Sequence, residues 1–583
     1  MQDRLGGGGH GRHVHRRSMA AACAGGARAL SVVALSRWHP HQVTARMLAW
    51  RPTLSTEALA LWASLYFVLA GNVPFWRAVF ATGALAGVSG ALAAASLLAL
   101  VFALQAFLFC VLLHGRMARP VLGVLLLAGA AANHYMTAYG VYFDTDMVRN
   151  VLHTDAFEAR ELLTWSLLPA LVAYAGLPLL LLARVRLLRR RPARAAVVRL
   201  GVMAALALLA AGSALAGFQD LSALMRNHRE LRHLITPGNV VVATATVIRG
   251  DGAAKGPRRV LGRDAVVAAR PLHARPRLLV LVVGETTRAQ NWGLNGYARQ
   301  TTPRLAMSNV INFGDVTACG TSTEVSLPCM FSPDGRAGYD KALLDNSESL
   351  LHVLEHAGVH VLWRDNQSGC KGVCTGLEID TMRATAAGAH CASHGCYDGI
   401  LLDGLDAAID RVPGDQVIVL HQLGNHGPAY HARTPLHLRR FRPTCDSDDL
   451  GHCSREQVVN SYDNAVLATD DLLADVITLL ARRQDRDSAL LYVSDHGESL
   501  GENGLYLHGL PWAIAPETQK KVPMVAWLSP GLAAARHADL FCLRASATAP
   551  ASHDQLFHSV LGLFGVRTSL YHSDDDLFSG CST

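Results

Sequence analysis

The chain has 583 residues, too many for one ordinary domain, and its 50% hydrophobic residues and mean hydropathy of +0.21 are too high for a wholly soluble protein. The net charge of +7 is no nucleic-acid footprint, because its basic residues gather in an N-terminal tail and in residues 184–194, beside apolar runs. The apolar runs fill the first half, while the second half has ordinary globular composition and most of the acids.

Residues 1–46 are rich in Gly, His and Arg and hold one acid, Asp3; they are read as a disordered extension, after which Met47 leads into the first apolar run. Five runs, at roughly 57–75, 83–113, 120–141, 163–183 and 198–217, approach or exceed the about 20 apolar residues that cross a bilayer. The basic tail, residues 114–119 and residues 184–194 fall on one side of these crossings. The positive-inside rule makes that side cytoplasmic. Everything after about residue 218 then lies outside, in the periplasm if the cell is a Gram-negative bacterium. Residues 47–217 are thus read as an all-α membrane domain of five helices, with a polar, amphipathic periplasmic loop at 142–162. Residues 218–275 read as an interfacial helix followed, from 250, by a Gly-, Arg- and Ala-rich linker. From 276 to 583 strands and helices alternate, the pattern of an α/β domain with a mostly parallel sheet flanked by helices.

Two apolar runs, 278–283 and 489–493, read as buried strands. The first is followed by Gly284-Glu285-Thr286-Thr287 and the second by Ser494-Asp495-His496-Gly497-Glu498. Ligands of open α/β sheets bind outside the carboxyl ends of the strands, so Glu285, Asp495 and His496 are expected on one rim. Two carboxylates and an imidazole without cysteine suit a catalytic Zn²⁺ with one open position. Thr323 lies among small hydroxyl residues between Cys319 and Cys329. At a helix N-terminus beside a metal its hydroxyl could become a nucleophile; the loop alone equally suits an N-cap threonine without chemistry. His426, after the run 416–420, His508 and Lys371 are further rim candidates.

Ten of the twelve cysteines lie after residue 300, which fits an oxidising compartment. Sequence leaves their connectivity open. Neighbour pairing is the simplest expectation: Cys319 with Cys329, Cys370 with Cys374, Cys391 with Cys396, Cys445 with Cys453, and Cys542 with Cys581. Cys23 and Cys110 are left over.

Taken in order, Gly284-Glu285-Thr286, Cys319-Gly320-Thr321-Ser322-Thr323, His426-Gly427-Pro428 and Ser494-Asp495-His496-Gly497-Glu498 resemble the signature of the phosphoethanolamine transferases. These are membrane enzymes of the alkaline phosphatase superfamily that modify lipid A or lipopolysaccharide core, the mobile colistin-resistance enzymes among them. The resemblance runs from about Met47 to near the C-terminus and implies an alkaline phosphatase/sulfatase-like fold. It implies Glu285, Thr323, Asp495 and His496 as ligands of one tightly held zinc, and Thr323 as nucleophile. His426 and His508 would hold substrate phosphate or a second zinc, and Lys371 would touch substrate. It implies Asn150, Thr154 and Glu158 as contacts of the ethanolamine headgroup. Their i, i+4, i+8 spacing puts all three on one helix face.

The reaction so implied is a two-step transfer from phosphatidylethanolamine, through an adduct on Thr323, to lipid A or core, by a monomer in the inner membrane. The acceptor and polymyxin resistance both stay open at this point. A related glycerol-phosphate transferase, or a phosphatase- or sulfatase-type hydrolase, is the enzymatic rival. A zinc-stabilised scaffold without activity is the non-enzymatic one.

Overall fold

The computed structural model describes residues 51–581 apart from 86, 155, 254–256, 383–389 and 393–394. The extension expected over 1–46, together with Met47 and Cys23, lies outside them. The chain starts with β1 (Thr53–Leu54) and α1 (Thr56–Tyr66), which runs through a π turn at Phe67–Gly71 to α2 (Val73–Ala81). Next come α3 (Gly87–Leu112), α4 (Ala118–Tyr139), α5 (Thr145–His153) and α6 (Ala156–Leu162). They are followed by a helical span at Leu167–Arg184, β2 (Arg186–Leu187) and α7 (Pro192–Ala216).

Among the described residues, four helices are long and apolar enough to cross a bilayer: Gly90–Leu112, Gly115–Tyr139, Leu167–Arg184 and Pro192–Ala216. The first expected span differs from the simple helix the sequence suggests, because α1 and α2 meet at 53°, so the spans number five only if the bent pair is one. The break falls at Asn72, ahead of Pro74 near the start of α2. Buried Asn72 donates from Nδ2 to Phe67 O at 2.9 Å, and its Oδ1 accepts from Thr236 N at 2.7 Å and Thr236 Oγ1 at 3.0 Å. Gln105 of α3 donates to Thr236 O at 2.8 Å, and Asn133 of α4 donates to Gly71 O. Polar groups in a bilayer need internal partners. This buried knot supplies them and ties the connector to the membrane helices.

The connector holds more helix than its composition suggests. A helix at Phe218–Asn227 and a 3₁₀ segment at Arg229–Leu234 precede α8 (Gly238–Ala253), which enters the expected linker. The run Val240-Val241-Val242 has poor helix propensity, but α8 packs on α5, and Ala243 and Val247 are buried there beside Val148. Tertiary packing overrides propensity.

The strands of the main sheet are β3 (Arg277–Gly284), β4 (Ile311–Thr317), β5 (His360–Asp365), β6 (Glu378–Thr381), β7 (Gln416–His421), β8 (Asp487–Ser494), β9 (Lys521–Leu528) and β10 (Ala551–Ser552). They form one eight-stranded sheet in the order β10-β4-β9-β8-β3-β7-β5-β6. Every pairing is parallel except those of β9, which runs against both its neighbours. Alternate residues enter opposite cores: Leu279, Leu281 and Val283 one, Leu278, Val280 and Val282 the other. Helices cover both faces, so the central strands read as unbroken apolar runs.

Five disulfides link sequence neighbours: Cys319 to Cys329, Cys370 to Cys374, Cys391 to Cys396, Cys445 to Cys453, and Cys542 to Cys581. Their sulfurs are taken up in bridges, so these ten residues act on the fold and none of them offers a thiolate to a metal. Cys110 is free and buried.

Candidate metal and nucleophile site

Neighbouring parallel strands β3 and β8 end side by side, Gly284 paired with Ser494, so Glu285 and Asp495-His496 leave the sheet together. The chain turns at once, because Thr286 has φ of +60°. A non-glycine residue in that region is strained. The turn brings its amide to Asp495 Oδ1 at 3.1 Å. Gly497 has no freedom to be larger, since a Cβ there would meet Thr518 O at 2.1 Å.

The third contributor comes from α9 (Thr323–Met330), a buried helix preceded by Ser322 and bracketed by the bridge from Cys319 to Cys329. Thr323, at its first turn, donates to Glu285 Oε1 and Oε2 at 3.1 and 3.0 Å and lies 3.4 Å from His496 Nε2. His496 Nδ1 donates to Gly497 O at 2.9 Å, a bond that turns Nε2 towards the carboxylates. Nε2 is 3.3 Å from Glu285 Oε1 and 3.4 Å from Asp495 Oδ2. Asp495 Oδ2 is buried and accepts no hydrogen bond. Glu285, Asp495 and His496 offer ligand atoms within 4.8 Å of one another, all buried.

Two buried carboxylates this close require a compensating positive charge. Burial opposes ionisation of Glu285, but the hydrogen bond and charge of His496 hold its carboxyl well below the usual range. Burial and the Glu285 charge push Asp495 up to about 7. Burial works against a charged His496, yet Asp495 and Glu285 raise it to about 10. A proton on His496 thus stands where a cation belongs. The unpartnered Asp495 Oδ2, the fixed His496 tautomer and the oxygen-rich donor set all fit a divalent metal such as zinc.

Around this centre, His508 lies 4.4 Å from His496 and 5.5 Å from His426, ring centre to ring centre. Burial lowers His426 and His508 to about 3, so both are neutral at physiological pH. His508 Nδ1 faces Glu498 Oε2 at 3.4 Å, while His426 Nδ1 has no hydrogen-bond partner. Lys371 stands inside the short loop closed by Cys370 and Cys374. It has φ of +46° and donates from Nζ to Ser368 Oγ at 3.0 Å. Next to Ser368 stands a residue that no motif marks: Gln367, buried, donates to Glu285 Oε2 at 2.9 Å. A lone glutamine carries no sequence signal of its own.

The loop 142–162 reaches the same rim. Helix α5 packs on α9, and His153 Nδ1 lies 3.2 Å from Glu324 Oε1, one residue from Thr323. Buried Arg433 joins Glu161 of the loop at 2.5 Å and donates from Nε to His426 O at 2.9 Å. The single face expected for Asn150, Thr154 and Glu158 is not formed. The helix ends at His153, and Thr154 is extended, its Oγ1 bonded to Asn150 O at 2.6 Å. The hydroxyl competes for the backbone and caps the helix, so Glu158 belongs to α6 and is buried.

A sulfatase family model matches residues 277–566, and one described as phosphoethanolamine transferase EptA/EptB matches 100–251. The phosphoethanolamine transferase EptA of Escherichia coli K12 is 38% identical over 553 residues, 91% of this chain and 98% of that protein. The phosphatidylethanolamine transferase Mcr-1 of Escherichia coli is 39% identical over 421 residues, 70% of this chain and 78% of that protein. Among solved structures, the integral membrane lipooligosaccharide phosphoethanolamine transferase A from Neisseria meningitidis matches with a TM-score of 0.86 at 37% identity, covering 91% of this chain and 99% of that one.

Proposed function

The chain belongs to the phosphoethanolamine transferase family, and on that premise we propose that it carries phosphoethanolamine from phosphatidylethanolamine to lipid A or lipopolysaccharide core through an adduct on Thr323. It is a multi-pass inner-membrane protein with its sheet domain in the periplasm. The observation that carries the reading is the Thr323 hydroxyl at a helix N-terminus, 3.0 and 3.1 Å from the Glu285 carboxylate oxygens.

Glu285, Asp495, His496 and Thr323 would hold zinc. When bound, it supplies Lewis-acid chemistry and makes the threonine hydroxyl easier to ionise. Glu285 takes the hydroxyl hydrogen bond and directs a lone pair of Thr323 Oγ1 at the donor phosphorus. A bond forms from Oγ1 to phosphorus as the bond to the diacylglycerol oxygen breaks. The proton lost by Thr323 ends on that oxygen, along a route flanked by neutral His426 and His508. The N-terminal dipole of α9 and Lys371 favour the phosphate charge. Asn150 of α5, Thr154 just past its end and Glu158 of α6 would contact the headgroup, with the Glu158 carboxylate as counter-charge to the ammonium. In the second step the O–H oxygen of an acceptor hydroxyl or protonated phosphate bonds to phosphorus, the bond from phosphorus to Thr323 Oγ1 breaks, and the acceptor's proton passes to Oγ1. The protein works as a monomer, with residues 276–583 as the transferase domain and 47–217 holding it where both lipids meet.

The test is a mass spectrum of lipid A from a polymyxin-sensitive host expressing the chain or Thr323→Ala. The expected result is a phosphoethanolamine increment with wild type only. An increment with both sinks the nucleophile assignment, and consumption of phosphatidylglycerol in place of phosphatidylethanolamine sinks the donor.

A further inference from the structure

At the other end of the membrane domain, on the cytoplasmic side, lies a cavity of about 770 Å³ whose lining includes five arginines, Arg116, Arg119, Arg189, Arg190 and Arg199, and one acid, Glu57. The positive-inside rule accounts for arginines there, but not for their being built into a site. Strands β1 and β2 pair in parallel, Thr53 with Arg186 and Leu54 with Leu187, which closes the chain ahead of α1 against the turn before α7. Arg199 donates to Leu113 O at 2.9 Å and Thr56 Oγ1 at 2.7 Å, and Arg119 donates to Val185 O at 2.9 Å.

The charges do not balance. Glu57 is buried and already engaged, by Arg190 at 3.0 Å and Arg199 at 3.5 Å. Among the described residues, Arg116 and Arg189 have neither an acid nor a hydrogen-bond acceptor, and both are exposed at the rim. Five guanidiniums against one carboxylate leave four positive charges around one cavity. The guanidinium fork matches phosphate oxygens in pairs. The volume is that of a small-molecule site and far exceeds a lone ion. Leu188, 49% exposed, lines it too, so one wall is apolar.

We propose that this cavity binds a phosphate group carried by an anionic phospholipid of the cytoplasmic leaflet, with the phosphate on Arg116 and Arg189 and the glyceride beside Leu188. Basic pockets between membrane helices on the cytoplasmic side are suited to such headgroups. The site is separate from the zinc and Thr323 chemistry.

The test uses the full chain in neutral detergent, titrated with phosphatidylglycerol, phosphatidylethanolamine or inorganic phosphate, and read by thermal unfolding and by native mass spectrometry. Phosphatidylglycerol is expected to raise the melting temperature saturably and to remain bound as one retained lipid. Its apparent affinity should fall at least fivefold in Arg116→Gln/Arg189→Gln, whose unliganded melting temperature matches wild type because neither side chain holds the fold together. Inorganic phosphate alone should give no shift. Equal phosphatidylglycerol affinity in the variant, or equal binding of phosphatidylethanolamine, overturns the proposal. Inorganic phosphate reproducing the full shift overturns the lipid as its source.

Discussion

At the scale of single residues, a metal entering the cluster would have to compete with protons. His496, raised to about 10, holds a proton throughout the physiological range, and Asp495, raised to about 7, holds one part of the time. A divalent cation must displace them, so zinc affinity should fall as pH falls from 8 to 6, by about tenfold or more per unit. Isothermal titration in buffers of different ionisation heat should count at least one proton released near pH 7.5; none released contradicts the charge state derived for His496. Gln367→Ala should weaken zinc binding by about 10–100-fold, the usual cost of losing a support to a ligand, with little change in melting temperature of the metal-free protein. An unchanged affinity removes Gln367 from the site. Glu285, Asp495 and His496 were legible because each directly follows an apolar strand, where topology dictates a shared rim. Gln367 was not, because its role exists only through the distance to Glu285.

At the scale of elements, the contact between loop 142–162 and the sheet domain includes a buried ion pair, Arg433 with Glu161, whose side chains are 1% and 4% exposed. Arg433→Ala removes the cation paired with a buried carboxylate and should destabilise by up to about 3–5 kcal/mol. Adding Glu161→Gln should recover a large part of that, and a double-mutant cycle on thermal unfolding measures it. Additive losses would show that the two side chains do not act as a pair. Because Arg433 also holds His426 O, the single variant should lower kcat as well as stability. The sequence marked 142–162 as amphipathic and periplasmic, but not its division into two helices. That depends on a hydroxyl choosing its own backbone at Thr154 over continuing the turn. Likewise α8 is hidden in a β-branched run whose helicity comes from its packing on α5.

At the scale of the whole molecule, the membrane-plus-α/β plan was readable from hydropathy and strand–helix alternation, since both follow from burial against one solvent or the other. The bend between α1 and α2 was not, because it depends on Asn72 meeting Thr236, 164 residues away. The five bridges enclose loops of very different length, from 4 residues between Cys370 and Cys374 to 39 between Cys542 and Cys581. Loop-closure entropy makes the bridge of Cys542 and Cys581 worth about 1.4 kcal/mol more than that of Cys445 and Cys453. Replacing each cysteine pair by alanines should therefore lower the melting temperature more at Cys542 and Cys581, as differential scanning fluorimetry would show; the reverse order would mean that native packing, not chain entropy, sets their value. Protein made under reducing conditions should yield little active enzyme.

The docking of α5 against the threonine-bearing helix α9 has a physiological consequence. A protease that cut the connector would release a sheet domain with its metal cluster and Thr323 intact, but without Asn150, Thr154 and Glu158. If those three residues hold the ethanolamine headgroup as proposed, the freed fragment would lose that hold along with its anchor and would transfer phosphoethanolamine more slowly than the intact chain.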